Sequence, residues 1–359
     1  MKCGIIGLPQ AGKTSIFRVL THAPASQSHA HKDLQQLGVA RVPDSRLDQL
    51  ALLFTPEKTT YATVECVDVA PIGEDTLRET AFLTALKQTD ALLHVVRLFA
   101  DETVPHIKGS VDAARDVSDV GLELILTDLS VIENRLARIE KDRKKGQSAD
   151  LEREQELLER AKSVLEDNRP LRSEKWTEEE RKQLRGFTFL SEKPMLIVFN
   201  VGEDEAARGD EILSDPQLKP LWERPGTLGV AVCAKLEAEL AMMSEDEAQG
   251  FLASYGLKEP GRDRLVRAAH ALLGLIVFFT VGEKECRAWN IPRGATAQQA
   301  AGAIHSDLEK HFIRAEVIPW DQLLEAGSLA AARQNATLRL EGKEYVVKDG
   351  EIVHIRHSG

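Results

Sequence analysis

Aromatic residues make up only 5% of this 359-residue chain. No apolar run approaches the roughly 20 residues needed to cross a bilayer, so no membrane span is expected. Positive charge is in the minority: Lys and Arg number 46 against 57 Asp and Glu, for a formal net charge of -11. That balance excludes a protein that coats nucleic acid through its overall charge, and any RNA contact must be local. Cysteine is scarce as well. Cys3, Cys66, Cys233 and Cys286 lie far apart without C-x-x-C spacing, which indicates neither a zinc site nor a disulfide framework and fits a reducing compartment. Cys3 and Cys66 fall in apolar runs and read as small buried hydrophobes. The sequence opens on Met1-Lys2-Cys3-Gly4 with no room before its first motif for a secretion leader, so a cytoplasmic location is expected.

A chain of this length exceeds one ordinary core, so two or three domains are anticipated. Short apolar runs at Cys3–Ile6, Val64–Val69, Ala91–Val96, Met195–Phe199 and Gly229–Cys233 read as buried strands separated by crossover helices, which implies a mostly parallel α/β sheet. Between the third and fourth runs, Ile125, Leu129, Ile132, Leu136 and Ile139 recur at alternating spacings of four and three, a heptad seam. The basic turn Arg143-Lys144-Lys145-Gly146-Gln147-Ser148 follows. Leu151, Leu158, Ala161 and Leu165 then continue an apolar stripe, so two antiparallel helices joined by a short loop are expected. Thr177 and Glu180 have capping-box spacing and begin a further helix. From about Ile276 onward, strand-like pieces at Val277–Val281, Glu285–Asn290, Ala336–Leu340, Glu344–Lys348 and Ile352–Arg356 surround one helical stretch, Ala297–Lys310. This pattern suggests a small separate α+β domain.

The segment Gly7-Leu8-Pro9-Gln10-Ala11-Gly12-Lys13-Thr14 satisfies G-x-x-x-x-G-K-[ST], after a strand and before the helix-forming Ser15–Leu20. Its glycines let backbone amides turn toward phosphate oxygens, and the new helix presents its positive end there. The candidate nucleotide contacts are Gly7, Gln10, Ala11, Gly12, Lys13, Thr14 and Ser15. Lys13, read as an exposed loop ammonium, reaches the terminal phosphates; Thr14 offers its hydroxyl to Mg²⁺. Asp68 ends the strand Val64–Val67 and stands where a Walker-B aspartate holds the metal's water. Lys13, Thr14 and Asp68 are thus the candidate catalytic groups, with Thr14 and Asp68 serving the metal.

Base recognition is expected from Asn200 and Glu203, after the fourth apolar run, and from Cys233-Ala234-Lys235, after the fifth. Ras-like switches read guanine with N-K-x-D, where a short Asp accepts from the two donors on the base edge. Here the motif is Asn200-Val201-Gly202-Glu203, and the longer Glu is misplaced for that pairing. His22, His29 and His31 lack a fixed ligand spacing and read as a polar loop. Arg287, Trp289, Lys310 and Arg314 are candidates for a basic and aromatic RNA surface, set against ordinary solvated charge.

The phosphate loop, the N-x-x-E motif and the inserted helices occur in the order seen in the YchF/Obg-like ATPase family, which this sequence resembles. The segments Cys233–Leu240, Phe278–Trp289 and Ile304–Val317 resemble the end of that family's nucleotide domain and its TGS domain. The resemblance implies a Ras-like P-loop core at 1–121 and 189–275, a helical coiled-coil insertion at 122–188 and a β-grasp TGS module at 276–359. It also implies ATP with Mg²⁺ in preference to GTP, and a ribosome or RNA partner met through the TGS module and the coiled-coil tip. The expected function is a slow ATPase in a translation-, ribosome- or stress-related role. A non-hydrolysing nucleotide-binding scaffold and a GTPase are the alternatives.

This chain departs from the family pattern in its switch segments. It has Asp68-Val69-Ala70-Pro71-Ile72-Gly73 where the family has Asp-x-x-Gly, and Pro71 lacks the N–H through which such a glycine senses a terminal phosphate. Ala23–Gln36 contains no Thr for a first switch, and no Gln follows Asp68 to orient water. Phosphoryl transfer depends on positioning water and neutralising developing charge, so hydrolysis by the isolated protein is expected to be slow. Single-turnover ATP hydrolysis, with hydrogen exchange in the empty and ATP-bound states, checks this. Rapid turnover with strong ATP-dependent protection of Ala23–Gln36 and Pro71–Gly73 would contradict it.

Overall fold

The five apolar runs become β1 (Lys2–Ile6), β4 (Thr63–Val69), β5 (Ala91–Arg97), β6 (Met195–Asn200) and β7 (Thr227–Val232), with two further strands between β1 and β4: β2 (Gln35–Arg41) and β3 (Lys58–Thr60). The computed structural model describes residues 1–22, 35–72, 80–144 and 148–358. Among these, the first sheet has the order β2-β4-β1-β5-β6-β7, and β4, β1, β5, β6 and β7 run parallel. Every residue of β5 and β6 is buried, as strands covered on both faces require. That is why they read in sequence as unbroken apolar runs.

Helix α1 (Lys13–Thr21) follows β1, α2 (Ser45–Phe54) follows β2 and α3 (Thr80–Lys87) precedes β5. The heptad seam belongs to α4 (Ala113–Arg143), 31 residues and so about 46 Å long. Its partner is α5 (Ala149–Glu166). Ile125, Ile132 and Ile139 pack against Leu158, Ala161 and Leu165, with Leu129, Leu136 and Leu151 at the margin. The first turns of α4 do different work: Ala113, Val120 and Leu124 join the core beneath the parallel sheet. One continuous helix therefore serves the sheet at its root and the helical pair beyond it. The expected capping box is present on α6 (Glu178–Leu184), where Thr177 and Glu180 bond reciprocally.

A second sheet has the order β11-β10-β12-β8-β9-β3, with β8 (Leu275–Thr280), β9 (Glu285–Pro292), β10 (Phe312–Pro319), β11 (Arg339–Glu341) and β12 (Glu351–His357). It is mixed: β12 is antiparallel to β10 and parallel to β8, while β9 is antiparallel to β8 and parallel to β3. Ala297, Ala300 and Ala301 of the helix Ala297–Ile304 bury against Phe278, Val317 and Val353. A mixed sheet holding one helix is the α+β arrangement expected of this region.

Several details differ from the sequence reading. β10 was not anticipated, because Arg314 and Glu316 interrupt its apolar pattern; Glu316 is buried there and held by Arg333 at 2.9 Å and Arg356 at 2.5 Å. Glu344–Lys348 forms no strand, only an isolated bridge between Val346 and Thr296. Ala40–Val64, assigned on sequence to the nucleotide domain, groups instead with Leu273–Gly359, while Met1–Val39 groups with Glu65–Leu272. Pairing of β3 with β9 is the physical reason, and it is invisible without the tertiary structure.

The root of the helical insertion is tied down by one carboxylate. Asp128 of α4 is buried, and its two oxygens accept from the backbone N–H groups of Leu190 at 2.9 Å and Ser191 at 2.7 Å. Burial pushes its carboxyl up to about 6, against the pull of those hydrogen bonds. Asp128→Ala leaves two buried amides unpaired, for an expected loss of about 2–4 kcal/mol in urea unfolding at neutral pH. A loss below about 0.5 kcal/mol, the scale of an ordinary surface change, would show that the carboxylate does not anchor the insertion.

Candidate nucleotide site

The phosphate loop lies at the carboxyl edge of the parallel sheet, where β1 ends and α1 begins. Its conformation needs the two motif glycines. Gly7 has φ of 150° and a Cβ there would come within 2.5 Å of the Val95 carbonyl oxygen; Gly12 has φ of 93° and a Cβ would meet Asn200 Nδ2 at 2.2 Å. Gln10 also has a positive φ, 63°, so the backbone reverses hand through the loop. Gly12 is the N-cap of α1 and brings no capping side chain. The amides that open the helix are thus left to an anion.

Lys13 is buried, at 6% exposure, and not an exposed loop ammonium as its sequence position suggested. Its Nζ lies 3.6 Å from Asp68 Oδ1. Burial lowers the ammonium's pKa from its ordinary value, and Asp68 offsets part of that shift. Thr14 donates its hydroxyl hydrogen to Asp68 Oδ2 at 3.1 Å. Asp68 Oδ1 is itself buried and has no hydrogen-bond partner among the described residues. An orphaned carboxylate oxygen beside a threonine hydroxyl fits a hard divalent cation, which in phosphate sites takes its remaining ligands from phosphate and water.

Asn200 lies at the end of β6, 4% exposed. Its Nδ2 donates to the Ala11 carbonyl at 3.1 Å and its Oδ1 accepts from the Ala234 amide at 3.1 Å. This one side chain braces the phosphate loop against the turn after β7, and each polar atom has one site left for another partner. Glu203 is paired with Lys235, Oε2 to Nζ 2.5 Å. Cys233 is buried as the N-cap of the helix Ala234–Leu240. Within that helix, Glu237 accepts from the amides of Gly261 at 2.7 Å and Arg262 at 3.1 Å, a structural reason for the Cys233–Leu240 pattern.

Arg97, which the sequence reading passed over, ends β5 in register with Asn200. Its Nε donates to the Phe99 carbonyl at 3.1 Å and its Nη2 to that of Asp101 at 3.3 Å; Nη1 is buried with no hydrogen-bond partner among the described residues. The available signal was an arginine closing an otherwise apolar run.

Other candidates disperse. Residues 23–34 and 73–79 lie outside the described residues, and with them His29, His31, Gly73 and most of Ala23–Gln36. Ile72 is buried and donates its amide to the Gly7 carbonyl at 3.0 Å, leaving Pro71 exposed. His22 meets the Arg262 guanidinium. All four cysteines are free and buried. The Arg287 guanidinium lies over the Trp289 ring at 3.9 Å. Arg314, however, is on β10, three inter-strand spacings or about 14 Å from β9. The four residues do not form one patch along a strand pair.

A parallel sheet of this order, a glycine-turned loop at its first strand, and Lys13 and Thr14 both set against a strand-end aspartate define a P-loop nucleotide-binding protein with the Ras-like fold. A family model, YchF-GTPase C-terminal, described as a protein of unknown function (DUF933), matches residues 275–358. "Ribosome-binding ATPase YchF" of Bacillus subtilis (strain 168) is 38% identical, over 100% of this chain and 99% of its own. The protein of the same name from Escherichia coli O157:H7 is 38% identical over 98% of each. The solved Schizosaccharomyces pombe YchF GTPase superposes with a TM-score of 0.85 at 28% identity, covering 99% of this chain and 97% of its own. The chain belongs to the YchF family.

Lys13→Ala removes the ammonium expected to meet the phosphates and should weaken ATP binding by about 1.5–3 kcal/mol, roughly 10- to 150-fold. Isothermal titration of a variant whose circular dichroism matches the parent checks this. Unchanged affinity in the folded variant would remove Lys13 from the site.

Proposed function

We propose that this chain binds Mg²⁺·ATP at the loop Gly7–Thr14, hydrolyses it slowly and acts in the cytoplasm in association with the ribosome. The observation that carries the reading is the convergence of Lys13 and Thr14 on Asp68 beneath a loop braced by Asn200. In this reading the amides of Gly12, Lys13, Thr14 and Ser15 and the Lys13 ammonium hold the phosphates, and Gly7, Gln10 and Ala11 shape the loop around them. Thr14 and Asp68 hold the cation, which when bound neutralises charge developing on the phosphoryl oxygens. Lys13 keeps its proton through the reaction and serves as a fixed positive charge. The ribosome enters from the names of the Bacillus and Escherichia relatives. The second sheet and the tip between α4 and α5, whose residues 145–147 lie outside the described residues, are the proposed surfaces for it.

Adenine is favoured over guanine by the state of Glu203. A guanine reader needs a free carboxylate for two ring donors, whereas this carboxylate is longer and already paired with Lys235 at 2.5 Å. Asn200 and the backbone at Cys233, Ala234 and Lys235 supply the remaining contacts to the base. Arg97 Nη1 adds a donor beside them.

ATP is therefore expected to bind more tightly than GTP by about tenfold or more, the scale of one unpaired buried polar group. Glu203→Asp should narrow or reverse the preference, since a shorter carboxylate suits guanine and lies further from Lys235. Paired titrations with both nucleotides decide the matter. Equal binding of GTP and ATP by the parent protein would overturn the base assignment, while co-sedimentation with ribosomes tests the partner independently.

A further inference from the structure

A cavity of about 450 Å³ lies within the same unit as the phosphate loop but at the other end of its strands. Met195, the first residue of β6, and Thr227, the first of β7, form part of its wall. Asn200 and the turn carrying Cys233 lie at the far ends of these six-residue strands, about 17–20 Å away. The cavity is therefore separate from the nucleotide site. Its volume falls in the range of small-molecule pockets.

The lining has a definite chemistry. Val117, Leu122, Ile125, Ile197 and Leu221 make apolar walls, and none of the lining residues is acidic. Three arginines lie among them: Arg169, Arg172 and Arg224. Arg169 is already ion-paired with Asp167 and Glu174. Arg172 is not so satisfied. Its Nη1 donates to the Ser191 carbonyl at 3.1 Å and its Nη2 lies 3.6 Å from Met195 Sδ, but its Nε is buried with no hydrogen-bond partner among the described residues. Burial and then the Arg224 charge hold its guanidinium down at about 10, with Asp128 offsetting part of the shift. Arg224 is exposed and its Nε donates to the Pro220 carbonyl, so the unmet demand is that of the buried Arg172 Nε beside an apolar cavity without a lining carboxylate, which an anion would relieve.

We propose that this cavity is a binding site for a small amphipathic anion, its apolar body lying between α4 and the sheet and its carboxylate, sulfonate or phosphate group on Arg172 and Arg224. The ligand would touch the first turns of α4, the segment that follows α5 and the starts of β6 and β7. It joins both roots of the helical pair to the sheet that carries the phosphate loop at its opposite edge.

Anilinonaphthalene sulfonate is a suitable probe, since its fluorescence rises when its rings enter an apolar site. With the full chain, saturable binding at one site is expected, and the neutral analogue phenylnaphthylamine should bind at least about tenfold more weakly. Arg172→Met and Arg224→Met are each expected to weaken sulfonate binding roughly tenfold, the loss of one charge-assisted hydrogen bond. Gly121 of α4 lines the cavity, and a Cβ built there meets no atom within 4 Å. Gly121→Phe should therefore plug the site with the helix intact and abolish binding while leaving ATP affinity unchanged. Excess ATP should not displace the probe. Displacement by ATP, equal binding of the neutral analogue, or undiminished binding in folded Gly121→Phe would each overturn the proposal. Should Arg172→Met fail to fold, Arg224→Met and Gly121→Phe still decide it.

Discussion

The buried amide of Asn200 is the contact on which the candidate nucleotide site depends. One side chain at the end of β6 donates to Ala11 in the phosphate loop and accepts from Ala234 after β7, so two loops from distant parts of the chain are held at fixed spacing along one sheet edge. The closeness of this brace explains Gly12, where any side chain would collide with Asn200 Nδ2. It also makes Asn200 a positioning residue, in addition to its proposed role in reading the base. An asparagine fits both roles, because its donor and acceptor can each serve the fold and still face a ligand.

Beneath that edge the charges are arranged in series. Lys13 and Thr14 both turn to Asp68, which retains a buried oxygen without a hydrogen bond. A buried lysine facing a lone aspartate is costly unless something else shares the charges, and a cation with its phosphates would do so. The same logic runs at the opposite end of the strands, with the sign reversed. There the buried Nε of Arg172 has no hydrogen-bond partner among the described residues, beside a cavity with no lining acid where the proposed anion would sit.

α4 connects these regions. Its first turns belong to the core under the sheet, its remaining length to the helical pair, and Asp128 between them holds the backbone of Leu190 and Ser191 just before β6. A continuous helix of 31 residues without proline carries its direction through this junction, since a sharp kink would need a local break in its hydrogen bonding. The insertion is thereby anchored to the strand that ends in Asn200.

Local sequence determined whatever depends on neighbours along the chain. The phosphate loop follows from its glycine spacing, the parallel core from five apolar runs, the helical pair from a heptad seam and α6 from a capping box. Each is a periodicity or a short-range hydrogen-bond pattern, and the structure reproduces all of them. Only the tertiary structure decided the rest. Lys13 proved buried, because its environment comes from Asp68, more than fifty positions away, and not from its loop. Glu203 proved to be paired with Lys235, and Arg97 to stand beside Asn200, through strand register. β10 was hidden by Glu316, whose burial makes sense only once Arg333 and Arg356 surround it. Residues 40–64 left the nucleotide core because β3 pairs with β9, more than two hundred positions on. Long-range pairing of this kind leaves no trace in composition or period, since its energy depends on which surfaces the completed fold brings face to face.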